Sequence, residues 1–542
     1  MSKVASYLQE HIEGEASIQP DTLQAFSTDS SVLAIGPETV IYPRTTNDVR
    51  KIARFAWQIA EKGHTVAITP RGNGNDTTGA AIGAGIVLDF TAHMNRLFEY
   101  EPKQKLVRLQ PGLSATQLLH TLATHDATVP ALVSLPRYGT IGGAIANNLG
   151  GAQSHLYGAT DAWTYQLEVV LANGEVLQTG RLSKKELAKK KGLQTFEGEI
   201  YRNLDNLIED NSQLIKDEID EQLGNVGYAS IAKVKQKNGS FDLTPLFLGS
   251  QGTLGIISEA IIKTDAAANG LSATLAAFSD ASSLLEAIDY CRSLDPSEMH
   301  FYDSQLLDES ARRGRKYTAC DTALGTDGGV LLVKFAGSSE RARRHKTKKL
   351  QKYLQKSGAE HVTASGDDAF ALIAVQDSTW FVGNPTGSGE SAPPIVDGAY
   401  IPADKLTSFL TARTALADKY HCKSLPLYGD ILNSLYTVRP IFQLRNVSDK
   451  QKVLKFVAEY AQIVHQHGGR LVGYGAEGRL KAQASYQAID DDVVQLFMSI
   501  KSIMDPYALL NPGVKQMVEL KEIAGMLRSD YTSAVSTRYI SQ

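Results

Sequence analysis

Cysteine is scarce. Cys291, Cys320 and Cys422 are the three in 542 residues, and their wide spacing provides no CxxC pair, no zinc ribbon and no set of thiolates for an iron–sulfur cluster. Basic charge is not in excess: 55 Lys and Arg stand against 59 Asp and Glu, a formal charge of -4. The cationic stripe that a phosphate backbone demands is missing, and nucleic acid is not expected as a partner. No apolar run approaches the roughly 18 residues of a membrane helix. The opening MSKVASYLQEHIEGEASIQP lacks the apolar stretch of a secretory signal. These absences predict a soluble, cytoplasmic chain without a transmembrane segment, with peripheral membrane contact left open. What is present is 43% hydrophobic residue content, enough for a sizeable core in roughly three or four domain-sized units or two large ones.

The pattern along the chain is mixed α and β. Residues 1–35 read as a helical segment, SYLQEHIEG, and a polar stretch. From Thr39 a strand, a helix with apolar Val49, Ile52, Ala53 and Ala56, and a second strand follow in turn. The Asn173-Gly174 pair inside YQLEVVLANGEVLQTG is a hairpin signal. Residues 181–240 carry the basic run KKELAKKKG and a charged helical stretch, read as a solvated insertion. DAAANGLSAT, near residue 266, reads as a linker to a second α+β domain over 266–500, followed by a returning segment, 501–513, and a polar tail, 514–542.

Three small-residue loops carry the chemistry of the first half. Arg71-Gly-Asn-Gly-Asn-Asp-Thr-Thr-Gly79 follows a strand directly, and its glycines let successive N–H groups point at an anion. Gly72, Gly74 and Gly79 have the wrong spacing for the GxGxxG fingerprint, and no GxxxxGK is present. The second loop, Gly139–Gly151, is rich in Gly and Ala and offers the amides of Asn147 and Asn148. The third, Gly249–Ile256, repeats that chemistry. Three such loops in one half point to one extended cofactor.

The succession YPRTTNDVRKIARFA, RGNGNDTTGA, LDFTAHMNRLFEYEP, GTIGGAIANNLGGAQSHLYGATDAW, LGSQGTLGIISEA and MDPYALLNPG resembles the FAD-linked oxidases of the vanillyl-alcohol-oxidase and p-cresol-methylhydroxylase type. Within that family it is most similar to D-lactate and D-2-hydroxyglutarate dehydrogenases and the flavoprotein subunit of glycolate oxidase. The resemblance covers about residues 36–513 and implies an α+β fold, in which a two-lobed FAD domain (PCMH-type) over 36–265 is joined to a substrate domain built on an antiparallel sheet. It places non-covalent FAD on Arg71, Gly72, Asn73, Gly74, Asn75, Asp76, Thr140, Ile141, Gly142, Gly143, Asn147, Gly252, Gly255, Ile256 and Asn511.

Three departures follow. The family's hydroxy-acid enzymes carry a metal and base set written roughly GHxGDGNLH and GEHG. Here Leu427–Pro440, anchored by Val438-Arg439-Pro440, has no His, and Asp430 with Tyr436 or Thr437 stands there instead. Gly473–Arg479 puts Tyr474 and Gly475 where the resemblance expects a carboxylate and a basic His. An Arg expected before Ile395–Pro402 is also absent from ALIAVQDSTWFVGNPTGSGESAPP.

The remaining polar set is Tyr428, Asp430, Tyr436, Arg439, Tyr474, Glu477 and Arg479. Tyr436, Tyr474, Arg439, Arg479 and Asp430 are the catalytic candidates, since a cation beside a phenol lowers its pKa and makes it a usable base. Gly383–Pro394 reads as a lid or loop. No metal is expected. The expected activity is oxidation of a C–H bearing a hydroxyl: a D-2-hydroxy acid by resemblance, or a sugar or other neutral alcohol, with a non-catalytic binding or assembly role as the third reading. Electrons would pass to a protein, a quinone or oxygen, and a homodimer is an open alternative to a monomer.

Overall fold

The computed structural model describes residues 3–133, 139–219, 223–268, 270–337, 339–386, 389–420 and 424–531. Cys422, part of Gly383–Pro394 and the end of the tail lie outside them. The chain divides into two compact units. The first comprises Met1–Gly151, Gly158–Asp265 and Val472–Leu527; the second comprises Ala152–Tyr157, Ala266–Leu471 and Arg528–Gln542.

In the first unit a four-stranded sheet runs in the order Glu15–Ser17, Thr39–Tyr42, Ile86–Asp89, Ile68–Arg71, its last three strands parallel. The helix Thr46–Ala60 starts where the Thr45 side chain accepts the Asp48 N–H, and buries Val49, Ile52, Ala53 and Ala56. A second sheet is antiparallel, ordered Leu97–Glu101, Leu106–Leu109, Ile256–Lys263, Thr164–Val170, Val176–Gln178. Its last two strands form the hairpin that turns at Gly174, φ 84°.

The stretch read as a solvated insertion has a buried side. Its helices Lys184–Lys191, Phe196–Asp210 and Ser212–Glu218 send Leu187, Ile200, Tyr201, Leu204 and Ile215 into the core of this unit. The return to the first unit begins at Val472, ahead of residue 501, because Val472, Tyr486, Val493, Phe497 and Met504 share that core with Val107, Leu167 and Ile262.

The second unit is built on a seven-stranded antiparallel sheet ordered Glu360–Ser365, Leu271–Phe278, Gly329–Ala336, Glu298–Asp303, Leu427–Asp430, Leu435–Val438, Val396–Tyr400. The residues read as linker are strand from Leu271. Ser272 and Thr274 meet Ser365 and Thr363 across the sheet with hydroxyl pairs at 3.0 Å each.

Candidate functional sites

In the first unit the loop after strand Ile68–Arg71 is held rigid by its own polar groups. Asp76 accepts from the Thr78 N–H, the Thr78 hydroxyl and the Ala80 N–H at 2.7, 2.7 and 2.9 Å. Arg71 is buried, with its guanidinium packed against the loop at Gly74: it donates to the carbonyls of Ala81 and Thr28, each at 2.9 Å, and lies over the Phe26 ring. Its role is to shape the loop. Gly74 has φ 70° and a Cβ there would strike the Arg71 guanidinium, while a Cβ on Gly72 would strike the Thr140 hydroxyl. The N–H groups of Gly72, Gly74, Asn75 and Asp76 find no acceptor among the described residues, and the Asn75 amide nitrogen is buried without one. This set of free donors fits a pyrophosphate.

The second loop is a short helix, Ile141–Asn147, capped by the Thr140 hydroxyl, which accepts from the Gly143 N–H. Buried Ile141, Ala144 and Ile145 follow helical spacing, which the density of glycine and alanine conceals in the sequence. The N–H groups of Ile141 and Gly142 are bonded to the carbonyls of Leu113 and Pro111. Gly142, Gly252 and Gly255 sit close against Pro111, Pro70 and Val169, and Ile256 opens a buried strand.

Gln251 links the loops: its side chain donates to Asn147 at 2.8 Å and accepts the Gly478 N–H at 2.9 Å. Asn511 donates to the carbonyls of Ala80 and Gln251, each at 2.8 Å. Arg479 is locked likewise, donating to the carbonyls of Gly79, Pro512 and Ile82 at 3.0, 2.6 and 3.1 Å. Burial lowers its pKa to about 10, which leaves it charged at neutral pH. Glu477 forms a fully buried ion pair with Lys515 at 2.7 Å. Tyr474 belongs to this unit too, where its carbonyl accepts the Gly150 N–H. All three therefore fall in a different unit from Tyr436, Arg439 and Asp430.

In the second unit the sheet pleat separates the candidates. Tyr428 pairs across from Thr437, and Gly429 from Tyr436, so Tyr428 and Tyr436 point to opposite faces. Tyr436 lies among Phe301 and Phe409, its hydroxyl buried without a partner among the described residues. Burial raises its pKa, and the opposing cation is Arg292 rather than Arg439. A phenol activated by Arg439 is not what this arrangement provides.

The other face carries a polar row. His300 lies opposite Asp430 and Tyr302 opposite Tyr428; Glu298 lies opposite Lys334 and bonds to it at 2.6 Å. Gln153 donates to the second Glu298 oxygen at 2.9 Å. Burial pushes the Asp430 carboxyl up to about 6, against the pull of His300 and the Asn433 bonds. Arg439 is buried, 3.7 Å from Asp397 and over the Trp380 ring, and its Nε has no acceptor among the described residues. Arg313 reaches the Asn384 carbonyl. Guanidinium groups thus meet the segment that itself contains none. Glu298, His300 and Lys334 escaped the sequence reading because they lie outside any glycine-rich motif; the one available signal is alternation, with Glu298, His300 and Tyr302 at every second position of a strand. Among the described residues no group of three His, Cys, Asp or Glu is placed to hold a metal ion.

Residues 37–180 match the FAD binding domain, and residues 269–514 match the C-terminal domain of FAD linked oxidases. The chain belongs to the FAD-linked oxidases. Its cofactor is FAD. This FAD-linked oxidase is similar to D-2-hydroxyglutarate dehydrogenase of Escherichia coli, 26% identical over 505 residues that cover 90% of this chain and 49% of the relative. The chain spans about half the length of the D-2-hydroxyglutarate dehydrogenases it matches. It is also similar to glycolate oxidase subunit GlcD of Bacillus subtilis, 24% identical, with 88% of each chain covered. Its fold is that of p-cresol methylhydroxylase, with a TM-score of 0.65 at 13% identity over 95% of this chain and 96% of the other.

Proposed function

We propose that this FAD-linked oxidase oxidises a carbon that bears a hydroxyl, with D-2-hydroxy acids such as D-lactate as the first substrate class. The carrying observation is that the similarity to D-2-hydroxyglutarate dehydrogenase extends over 90% of the chain, including both the cofactor loops and the sheet of the second unit. FAD, when bound, accepts the hydride at flavin N5. The donors left free at Gly72, Gly74, Asn75 and Asp76 hold its pyrophosphate non-covalently, since residues 72–79 include no His or Cys. Arg439, buried with an unused Nε, is the group that receives a substrate carboxylate, because a guanidinium forks onto two oxygens. Electrons leave to a protein, a quinone or oxygen. Among the described residues no helix is long and apolar enough to cross a membrane.

A second reading, a sugar or other neutral alcohol as substrate, is favoured by the absence of His from Leu427–Pro440. Anaerobic flavin bleaching by a panel of D-2-hydroxy acids and polyols separates the two, and bleaching by none favours the non-catalytic role. Catalysis is metal-independent in this proposal. Chelator treatment should leave the bleaching rate unchanged, and loss of activity restored by zinc or manganese would contradict it.

A further inference from the structure

One chain of hydrogen bonds in the second unit joins Tyr428 to two residues outside the sequence-derived polar set, His300 and Glu298. The Tyr428 hydroxyl lies 2.8 Å from His300 Nδ1, and His300 Nε2 lies 3.4 Å from Glu298. Glu298 is fixed by Lys334 at 2.6 Å and by Gln153 at 2.9 Å. His300 and Glu298 are buried, whereas Tyr428 is half-buried. The buried end is therefore the carboxylate and the accessible end is the phenol.

The direction of the chain follows from charge. Burial alone would raise the Glu298 carboxyl, but Lys334 and the His300 bond outweigh it and hold the group well below the usual carboxylate range. An ionised carboxylate only accepts hydrogen bonds. Nε2 must then carry the proton, Nδ1 presents a lone pair, and the Tyr428 hydroxyl donates to it. The rings of His300 and Tyr428 are nearly parallel, 20° apart with centroids at 5.7 Å.

We propose that Tyr428 is the catalytic residue that takes the substrate's hydroxyl proton, and that His300, oriented by Glu298, receives the proton Tyr428 gives up. The proposal rests on the alcohol-oxidation reading above. The balance is complete: the alcohol O–H breaks and its proton moves to the Tyr428 oxygen, while the former Tyr428 proton moves to His300 Nδ1. The C–H bond breaks with its electron pair, the carbon–oxygen bond becomes double, and the hydride reduces the FAD assigned above. His300 is left as an imidazolium facing the Glu298 carboxylate. His300 and Glu298 act through Tyr428 and are positioning residues. The other titratable groups facing this chain are Asp430 and Tyr302 on the sheet, Lys334 across it, His155 near Glu298, and Asp377 near Tyr302.

The test uses the holoprotein in two measurements. Nitrogen-15 NMR of His300 should show a protonated Nε2 and a lone-pair Nδ1, and the Nδ1 shift should move in Tyr428→Phe, which keeps the ring and removes the donor. Stopped-flow reduction by the best substrate of the panel should slow about 10²- to 10⁴-fold in Tyr428→Phe, with little change in KM and an unaltered oxidised flavin spectrum. The wild-type rate should depend on pH through the proton passed along this chain, and the residual rate of the variant should lose that dependence, which a merely structural phenol would leave in place. A variant within about threefold of wild type, or a protonated Nδ1, overturns the relay alone. A wild-type flavin reduced by no member of the panel overturns the alcohol-oxidation reading, and this chemical step with it.

Discussion

Arg479 shows how far a buried side chain's partners constrain its role. Each of its three nitrogens donates to a backbone carbonyl, at Gly79, Pro512 or Ile82, so it braces the first cofactor loop with three of its five N–H groups. Arg479→Met should strand those carbonyls and cost roughly 3 kcal/mol, lowering the melting temperature and FAD retention together in a flavin-fluorescence melt. Tyr436→Phe should do the reverse of what a catalytic phenol would. It deletes a buried hydroxyl without a partner, so stability should hold or rise and flavin reduction should continue at the wild-type rate.

Asp430 gives the pH prediction. Its folded pKa of about 6 lies above the ordinary 3.8, so between those values the folded state binds more protons than the unfolded one. Stability therefore declines as pH rises through that window, by roughly 3 kcal/mol in all, and the loss persists above it. Asp430→Asn should match wild type near pH 4 and melt higher at pH 7.

Among the elements, the segment after the last cofactor residue is structural. Lys515 is fully buried against Glu477, whose other oxygen accepts the Gly227 N–H at 2.7 Å, and the strand bridge of Leu33 with Leu527 continues the attachment. Lys515→Met should cost roughly 3 to 5 kcal/mol because it leaves a buried carboxylate unpaired, and adding Glu477→Gln should recover part of that loss. Denaturant melts of the single and double variants measure the difference.

The polar appearance of this stretch hid its attachment, since a buried lysine reads like a surface one until its partner is known. The helix Thr46–Ala60 and the hairpin at Gly174 were legible because their signals are local: a cap, a 3.6-residue period, a turn dipeptide. The free N–H groups of Gly72, Gly74, Asn75 and Asp76 were legible as a glycine-rich loop after a strand. The Glu298–His300–Tyr428 chain was not, for its members lie 128 residues apart at the longest step and only strand register brings them together. Tyr436 was misplaced by the same cause, because neighbouring residues of one strand face opposite ways.

At the scale of the whole molecule, the cofactor unit is discontinuous. Its third segment, Val472–Leu527, supplies Arg479, Asn511 and Lys515, which tie down the first and third loops and close the buried ion pair. A fragment ending at residue 265 would keep the glycine-rich loops and lose every one of these braces. It should fail to retain FAD on gel filtration, and a co-expressed 472–527 segment should restore the yellow colour at least in part. Retention of flavin by the short fragment alone would show that the braces are dispensable.

The same discontinuity sets a schedule during synthesis. Chains emerge from the ribosome amino-terminus first, so the residues from Ala266 to Leu471 are all made before the segment that completes the cofactor unit. The loops at Arg71–Gly79 and Gly249–Ile256 wait without Arg479 and Asn511 while more than a third of the polypeptide is added behind them. Flavin capture should therefore be a late event in the life of each nascent chain, and a cell short of FAD should accumulate finished chains with the second unit built and the first still open.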